Sequence, residues 1–231
     1  MLEGIRLVAD AVKNGAAIEY VLATQKALSE LSEFDFDNIP VFEIPQQLCE
    51  KISQTQTPQG VFAVCAMIDN HIDFSKKSGK YLMLCDIQDN GNLGMIMRTA
   101  DALGVDGMIL SNCCDVYSPK TVRATMGSIF RVNFVVDKNP GLMLETMKEN
   151  GIYTYAAVPD SRATNVSTFE FPQKACVLIG NEGNGLSPDI IEKCDDSVTI
   201  RMNGTIESLN AAMAAGIMLW ELCGKDGHNA L

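Results

Sequence analysis

The sequence predicts an α/β protein: a parallel sheet covered by helices, preceded by a small α/β unit. Two stretches, Tyr81–Cys85 and Ala175–Ile179, are apolar throughout and are separated by helical patterns. Strands of this kind, alternating with helices, indicate a parallel sheet buried on both faces. A polar stretch ending in Lys76-Lys77-Ser78-Gly79 is typical of a linker between the two units.

The small unit spans residues 1–70, and the linker spans residues 71–79. Hydrophobic periodicity predicts alternating helices and strands in the small unit. The predicted helices are Ile5–Asn14, Gln25–Leu31 and Gln46–Ser53, and the predicted strands are Ile18–Leu22, Val41–Ile44 and Val61–Met67. No constellation of charged residues in this unit suggests chemistry.

The large unit spans residues 80–231 and continues the alternation. After Tyr81–Cys85 and a turn at Asp89-Asn90-Gly91, a helix runs to about Gly104. The further predicted strands are Gly107–Leu110, Ile152–Val158, Ala175–Ile179 and Val198–Met202, and the further helices are Pro119–Ala124, Gly141–Asn150 and Leu209–Leu222. Ligands of such sheets bind beyond the carboxyl ends of the strands.

Composition limits the possible functions. The sequence has no bilayer-length apolar run and no signal-peptide pattern, so we expect a cytoplasmic protein. Eight scattered cysteines without a Cys-x-x-Cys pair, and only two histidines, argue against a metal or redox site. The net charge is −11, with 6 basic and 11 acidic residues in 1–79 and 12 and 18 in 80–231. Any contact with nucleic acid must therefore come from a local patch.

Three segments of the large unit carry possible chemistry. In the first, Asn92 is predicted to cap a helix on which Gly94 and Arg98 share a face. Gly94 is expected to clear space beside Arg98, so that Arg98 could hold a phosphate. The second is a glycine-rich loop, Gly180-Asn181-Glu182-Gly183-Asn184-Gly185, before a helix that starts at Ser187-Pro188. The third runs from Ile200 to Asn210, with Ser208 as the predicted cap of an Ala/Gly-rich last helix. Each segment alone could be purely structural.

Together, in this order, the segments resemble the motifs of the SpoU or TrmH family of RNA 2'-O-ribose methyltransferases in the SPOUT superfamily. The matching residues are Asn92-x-Gly94-x-x-x-Arg98-Thr99-Ala100, Gly180-x-Glu182-Gly183-x-Gly185, and Ile200-x-Met202 with Ser208-Leu209-Asn210. Residues 1–70 are more loosely similar to an L30e-like substrate-binding domain. Compared with most relatives, the chain is expected to begin late in that domain. Asn90 and Arg201 stand where relatives usually have proline.

The resemblance implies a fold, a cofactor and an assembly. It implies a C-terminal deep trefoil knot, an exception to the rule that chains avoid threading. It implies S-adenosylmethionine, with its adenosyl part held by backbone at Gly180, Ile200 and Leu209, and no metal. It also implies an obligate homodimer whose active site is completed across the interface, with the last helix contributing to that surface.

The resemblance also implies roles for side chains. Arg98 would act on the reacting nucleotide, and Asn92, Glu182, Ser208 and Asn210 would organise Arg98 and the loops. Lys120 and Arg123 are candidates for contacts with the RNA backbone. The substrate is expected to be ribosomal RNA because of the L30e-like domain, with transfer RNA as the alternative.

Two other functions compete with this interpretation. A nicotinamide-dependent oxidoreductase would also have a glycine loop, but the sequence lacks an early glycine fingerprint followed by an acid. A non-catalytic RNA-binding protein could keep the fold, but such a protein would be free to lose the set of Asn92, Arg98, Glu182 and Asn210.

Overall fold

The chain forms two sheets joined by a packed connection. The computed structural model describes residues 1–31, 36, 38–68, 71–202 and 208–227. Residues 203–207, in the third motif, and His228 therefore lie outside the described residues, as do Asp69 and Asn70. No helix in the described part is both long enough and apolar enough to cross a membrane.

The first sheet is mixed and has the order β1-β4-β2-β3. β1 and β2 both run antiparallel to β4, whereas β3 is parallel to β2. In chain order its elements are β1 (Leu2–Glu3), α1 (Ile5–Lys13), β2 (Ile18–Ala23), α2 (Gln25–Glu30), β3 (Val41–Glu43), α3 (Gln46–Ile52) and β4 (Val61–Cys65).

The second sheet has seven strands, all parallel, in the order β7-β6-β5-β10-β8-β11-β9. Its strands are β5 (Gly79–Cys85), β6 (Gly107–Ser111), β7 (Phe134–Asp137), β8 (Tyr153–Ala157), β9 (Thr164–Asn165), β10 (Lys174–Ile179) and β11 (Asp196–Thr199). Its helices are α4 (Asn90–Leu103), α5 (Pro119–Ala124), α6 (Pro140–Glu149), α7 (Pro188–Lys193) and α8 (Ala211–Gly227).

Helices cover both faces of the second sheet. Along β5, Leu82 and Leu84 join the core beneath α4 and α8, whereas Tyr81 and Met83 join the core beneath α6 and α7. Successive strand residues point to opposite faces, so an uninterrupted apolar strand supplies both cores. This explains why β5 and β10 have almost no polar residue.

The two sheet units share one hydrophobic core and several polar contacts. The core beneath α4 and α8 also contains apolar residues of α1, β2 and β4. Glu3 of β1 is buried and accepts hydrogen bonds from Ser53 and Thr55, and its Oε2 lies 3.8 Å from Nη1 of Arg123 on α5. In the segment that connects β4 to β5, the ring of Phe74 packs edge-on against Tyr81 with 5.3 Å between centroids.

Most predicted elements lie within a few residues of their observed bounds, and α5 matches at both ends. Three strands were not predicted: β1, β7 and β9. Two details were wrong. Asn90 and Gly91 form the first turn of α4 instead of a preceding turn, and β11 ends at Thr199, before Met202.

Candidate active site

A cavity of about 1100 Å³ opens beyond the carboxyl ends of β8, β10 and β11. Its wall includes Gly180, Ile200 and Leu209, the three residues predicted to hold a cofactor, together with Glu182 and Ser208. Parallel strands end at the same edge, so the loops that follow them enclose one space. The predicted cofactor residues therefore line a single cavity.

Side chains of the three motifs are joined by hydrogen bonds at the edge of this cavity. Nδ2 of Asn92 donates to Oε1 of Glu182 at 2.9 Å, and Nδ2 of Asn210 donates to Oδ1 of Asn92 at 3.1 Å. These residues are 90 and 118 positions apart in sequence. We call this set, Asn210–Asn92–Glu182, the amide network.

The prediction that Asn92 caps α4 is wrong. Asp89 is the cap, because its Oδ1 accepts from the backbone N–H of Asn92 at 2.7 Å. Both residue types make good caps, but the residue just before the helix has the extended backbone that capping requires. The side chain of Asn92 is thereby left to bridge Glu182 and Asn210.

The prediction that Ser208 caps the last helix is also wrong. Oδ1 of Asn210 accepts from the backbone N–H groups of Ala212 and Met213 at 2.9 and 3.3 Å, at the start of α8. Asn210 thus uses its oxygen for the helix and its nitrogen for Asn92. Ser208 is exposed and lines the cavity.

The glycine loop closes on itself. A Cβ on Gly180 would lie 2.2 Å from the carbonyl carbon of Gly185 and 2.3 Å from the nitrogen of Leu186. Asn181, which sequence reasoning passed over, holds this turn: its Oδ1 accepts from Gly183 N at 2.8 Å, and its Nδ2 donates to Asp86 O at 2.9 Å. The loop itself therefore requires glycine at position 180, whether or not a ligand is bound.

Arg98 does not line the cavity of its own chain. It is exposed on α4, and no hydrogen bond or ion pair links it to another described residue. It lies six residues after Asn92, which turns it roughly 240° around the helix axis from the amide network. The idea that Gly94 clears space for Arg98 is wrong, because a Cβ on Gly94 would lie 2.4 Å from Cβ of Ala124 in α5. Gly94 instead lets α4 and α5 pack closely.

The two candidate RNA-binding residues both face carboxylates. Nζ of Lys120 lies 3.8 Å from Oδ2 of Asp89, and its side chain is largely exposed. Arg123 is only partly exposed, and Nη1 of Arg123 faces Glu3 without forming a hydrogen bond. Lys120 is therefore open to an incoming phosphate, whereas Arg123 is partly committed to the contact between the two sheet units.

Sequence reasoning missed the loop after β8. Residues 158–163 line the cavity, and Asp160 and Arg162 form an ion pair there, with Oδ2 and Nη2 2.7 Å apart. Hydrogen bonds from Arg162 hold the pKa of Asp160 down at about 2. This loop follows a parallel strand at the ligand-binding edge of the sheet. That position in the predicted topology could have identified the loop as part of the site.

The site offers little scope for thiol or metal chemistry. Among the described residues, no three His, Cys, Asp or Glu side chains are grouped as metal ligands. Burial raises the pKa of the nearby Cys113 thiol to about 12, so this thiol stays protonated at neutral pH. The groups that line the cavity are amides, carboxylates, serine hydroxyls, the Arg162 guanidinium and the backbone of a glycine loop. These groups can bind and orient a small molecule.

Comparison with known proteins gives consistent matches. Residues 79–220 match the model of the SpoU rRNA Methylase family, and residues 1–63 match the MRM3-like substrate binding domain. The chain is 31% identical over 229 residues to the 23S rRNA (guanosine(2553)-2'-O)-methyltransferase RlmP of Bacillus subtilis, covering 97% of this chain and 88% of that protein.

Solved structures agree with these matches. The SpoU methyltransferase AviRb from Streptomyces viridochromogenes, in complex with AdoMet, aligns with a TM-score of 0.82 and 30% identity, covering 96% of this chain and 88% of that one. The AdoMet-bound rRNA methyltransferase from Sinorhizobium meliloti aligns with a TM-score of 0.82 and 27% identity, covering 97% and 86%.

Proposed function

The chain belongs to the SpoU rRNA methylase family, and we propose that it transfers the methyl group of S-adenosylmethionine to a ribose 2'-hydroxyl of ribosomal RNA. The amide network carries this proposal, because it joins side chains from all three motifs beside the cavity. A purely structural role would not explain why Asn92 leaves the helix cap to Asp89 and bridges two distant segments.

The cavity suits S-adenosylmethionine in size and in the kind of groups that line it. A volume of about 1100 Å³ exceeds the needs of a nucleoside with an amino-acid tail. Gly180, Ile200 and Leu209 offer backbone groups and apolar surface for the adenosyl part. When bound, the cofactor supplies an electrophilic methyl group on a sulfonium.

The chain's own residues then have to hold the ribose and let its proton leave. Asn92 holds the Glu182 carboxylate at the cavity wall, where it can accept hydrogen bonds. A guanidinium is a permanently charged fork of N–H donors, so Arg98 is suited to gripping a phosphate beside the reacting ribose and not to acting as a base without help. Ser208 lies on the same wall and can position a polar group. Positioning of this kind lowers the barrier by fixing the attack geometry.

We also infer a homodimer whose sites are completed by the partner subunit. Arg98 lies outside its own cavity, on an exposed helix surface near Met95. Met95 of α4 and Met213 of α8 are each more than half exposed, Trp220 of α8 is half exposed, and α4 packs beside α8. Such an apolar surface is typical of an obligate interface. A second copy would cover it and carry Arg98 to the partner's cavity.

The finer features of the resemblance belong to the same proposal. We infer that the C-terminal segment forms a deep trefoil knot. We also infer that residues 1–70 form an L30e-like RNA-binding domain, connected by residues 71–79 to the methyltransferase domain, 80–231. The match of residues 1–63 to a substrate binding domain supports this division. Lys120 and Arg123 would contact the RNA backbone, and the protein would act in the cytoplasm.

The test combines binding with methyl transfer. Calorimetry with S-adenosylmethionine and with NAD should give binding of the first alone. The protein should then transfer radiolabelled methyl groups to ribosomal RNA from cells lacking its gene, and mapping should place them on ribose 2'-oxygens. Transfer to transfer RNA alone would reassign the substrate. Cofactor binding without transfer to either RNA would contradict the enzymatic function.

A further inference from the structure

The cavity wall carries few charged side chains, and one pair of them has no role in the amide network. The charged residues that line it are Asp160, Arg162, Glu182 and Asp196. Glu182 is bound by Asn92, whereas Asp160 and Arg162 bind each other in the loop after β8. Because the pair faces the cavity from a loop outside the three motifs, it requires a separate explanation.

The ion pair is well formed and exposed. Nε and Nη2 of Arg162 donate to the Asp160 carboxylate at distances of 2.7–3.2 Å. The Arg162 side chain is 89% exposed. Exposed ion pairs add little to stability. The turn itself depends on backbone donors, since Oδ1 of Asp160 accepts from Arg162 N at 2.9 Å. The fold therefore needs the Asp160 oxygen but not the guanidinium.

We propose that Asp160 and Arg162 bind the amino-acid end of S-adenosylmethionine, the carboxylate receiving its ammonium group and the guanidinium receiving its carboxylate. This inference rests on the proposed function. An adjacent anion and cation are complementary to a zwitterion, and charged hydrogen bonds of this kind are roughly twice as strong as neutral ones. Arg162 keeps further N–H groups for a second acceptor after binding Asp160. The low pKa of Asp160 keeps its carboxylate charged across the physiological range.

The pair would thus define one end of the ligand site. Gly180, Ile200 and Leu209 supply backbone and apolar surface, which suits the adenosine end. The loop after β8 supplies opposite charges, which suit the amino-acid end. Since both regions line one cavity, a single ligand can contact one region with each of its ends.

The experiment compares two ligands that differ only in this end. S-adenosylhomocysteine has the amino-acid group, and 5'-methylthioadenosine lacks it. Asp160→Asn keeps an oxygen to accept from Arg162 N, and Arg162→Gln removes the guanidinium. Glu149→Gln, which changes an exposed acid on α6, is the matched control. Dissociation constants for both ligands are measured by calorimetry on the full chain, with melting temperatures recorded for each variant.

We expect each loop variant to bind S-adenosylhomocysteine about tenfold more weakly, the scale of a lost charged hydrogen bond, and to bind 5'-methylthioadenosine as the wild type does. Equal weakening for both ligands would overturn the proposal, since the loop would then act only on the shape of the cavity. Unchanged affinity with a raised KM for RNA would also overturn it and assign Arg162 to the RNA. In both cases the wild type would still bind cofactor, so the proposed function would stand.

Discussion

The side chain of Asn210 has two roles, one at the start of a helix and one in the amide network. Its side-chain oxygen caps α8, and its side-chain nitrogen binds Asn92 in the amide network. Asn92 has only one of these tasks, because Asp89 caps its helix. The two residues therefore allow catalytic and structural effects of the network to be separated.

Asn92→Ala should lower methyl transfer by about 10–100-fold while changing the melting temperature little, because Glu182 loses its donor but α4 keeps its cap. Asn210→Ala should lower transfer similarly and also cost about 1 kcal/mol of stability through the lost cap of α8. Kinetics and denaturant unfolding of both variants measure the contrast. Equal stability of the two would show that Asn210 is not the working cap.

Arg98→Ala should lower methyl transfer by at least about a hundredfold, as expected when a positioned contact to the transition state is lost. Because Arg98 is exposed and has no partner among the described residues, melting temperature and cofactor affinity should stay nearly unchanged. Lys148→Ala, which removes an exposed cation from a different helix, α6, is the control. A normal rate for Arg98→Ala would show that the proposed mechanism is wrong.

At this scale the sequence was informative about which motif residues lie near one another and less so about what each contacts. Asn92, Glu182 and Asn210 were grouped by the resemblance to the family motifs, and the structure brings them together. The capping errors arose because Asp89 and Asn92, or Ser208 and Asn210, are equally good caps by residue type. Contacts with residues 90 or more positions away decide between them, and a local pattern does not contain that information.

At the scale of elements, α4 and α5 pack closely because a glycine of α4 lies at their contact. Gly94 faces Ala124 and the carbonyl of Thr121, and a Cβ would lie 2.4 and 2.9 Å from them. The beginning of α4, with Asn92, is thereby fixed relative to α5, which carries Lys120 and Arg123.

Gly94→Ala should destabilise the protein, although alanine favours helix by about 1 kcal/mol, because overpacking of a buried contact costs about 1–3 kcal/mol. Gly216→Ala in α8 is the matched control, since its Cβ would meet nothing closer than Thr99 at 4.0 Å. Urea unfolding should show a loss for the first variant and none for the second. Stabilisation by both substitutions would mean that α4 and α5 are less tightly packed than described.

Elements with strong periodicity were predictable, and short edge elements were not. β1 and β9 have two residues each, too few for a pattern. β7 is an edge strand whose Val136 is exposed, so it lacks the continuous burial of β5. Such strands form because a neighbouring strand offers hydrogen bonds, which is a property of the assembled sheet and not of the segment.

For the whole molecule, the position of Arg98 predicts complementation between subunits. If Arg98 serves the partner's cavity, co-expression of Arg98→Ala and Glu182→Ala chains gives mixed dimers with one intact site. About a quarter of wild-type activity should return when the chains assemble at random. Doubly tagged mixed dimers can be purified and assayed for methyl transfer, with Arg98→Ala dimers alone as the control. Inactive mixed dimers would place Arg98 in the site of its own chain.

The junction between the sheet units should respond to acid. Burial alone would raise the pKa of Glu3, but hydrogen bonds from Ser53, Thr55 and Gln54 and the charge of Arg123 together lower it from its ordinary value of 4.5. A lowered pKa means that the folded state binds fewer protons than the unfolded chain. The stability that Glu3 contributes is therefore present above pH 4.5 and is lost as the pH falls through the folded value.

Glu3→Gln should lower the free energy of unfolding by about 1–3 kcal/mol at neutral pH. This is the range expected when a neutral amide replaces a buried carboxylate that accepts hydrogen bonds. The difference from wild type should shrink as the pH is lowered below 4.5. Urea unfolding of both proteins at pH 7 and at two acidic values measures this trend. A difference that is independent of pH would show that the pKa of Glu3 is the same in the folded and unfolded states.

The core shared by the two sheet units affects how this protein could change its RNA target over evolution. Residues of α1, β2 and β4 interdigitate with the core beneath α4 and α8, and Glu3 meets Arg123 across the junction. Exchanging residues 1–70 for the corresponding piece of a relative would expose apolar surface on both sides and break a buried contact. Recombination of whole modules is thus disfavoured, and new specificity should arise by single changes on exposed surfaces such as β3, which leave the junction intact.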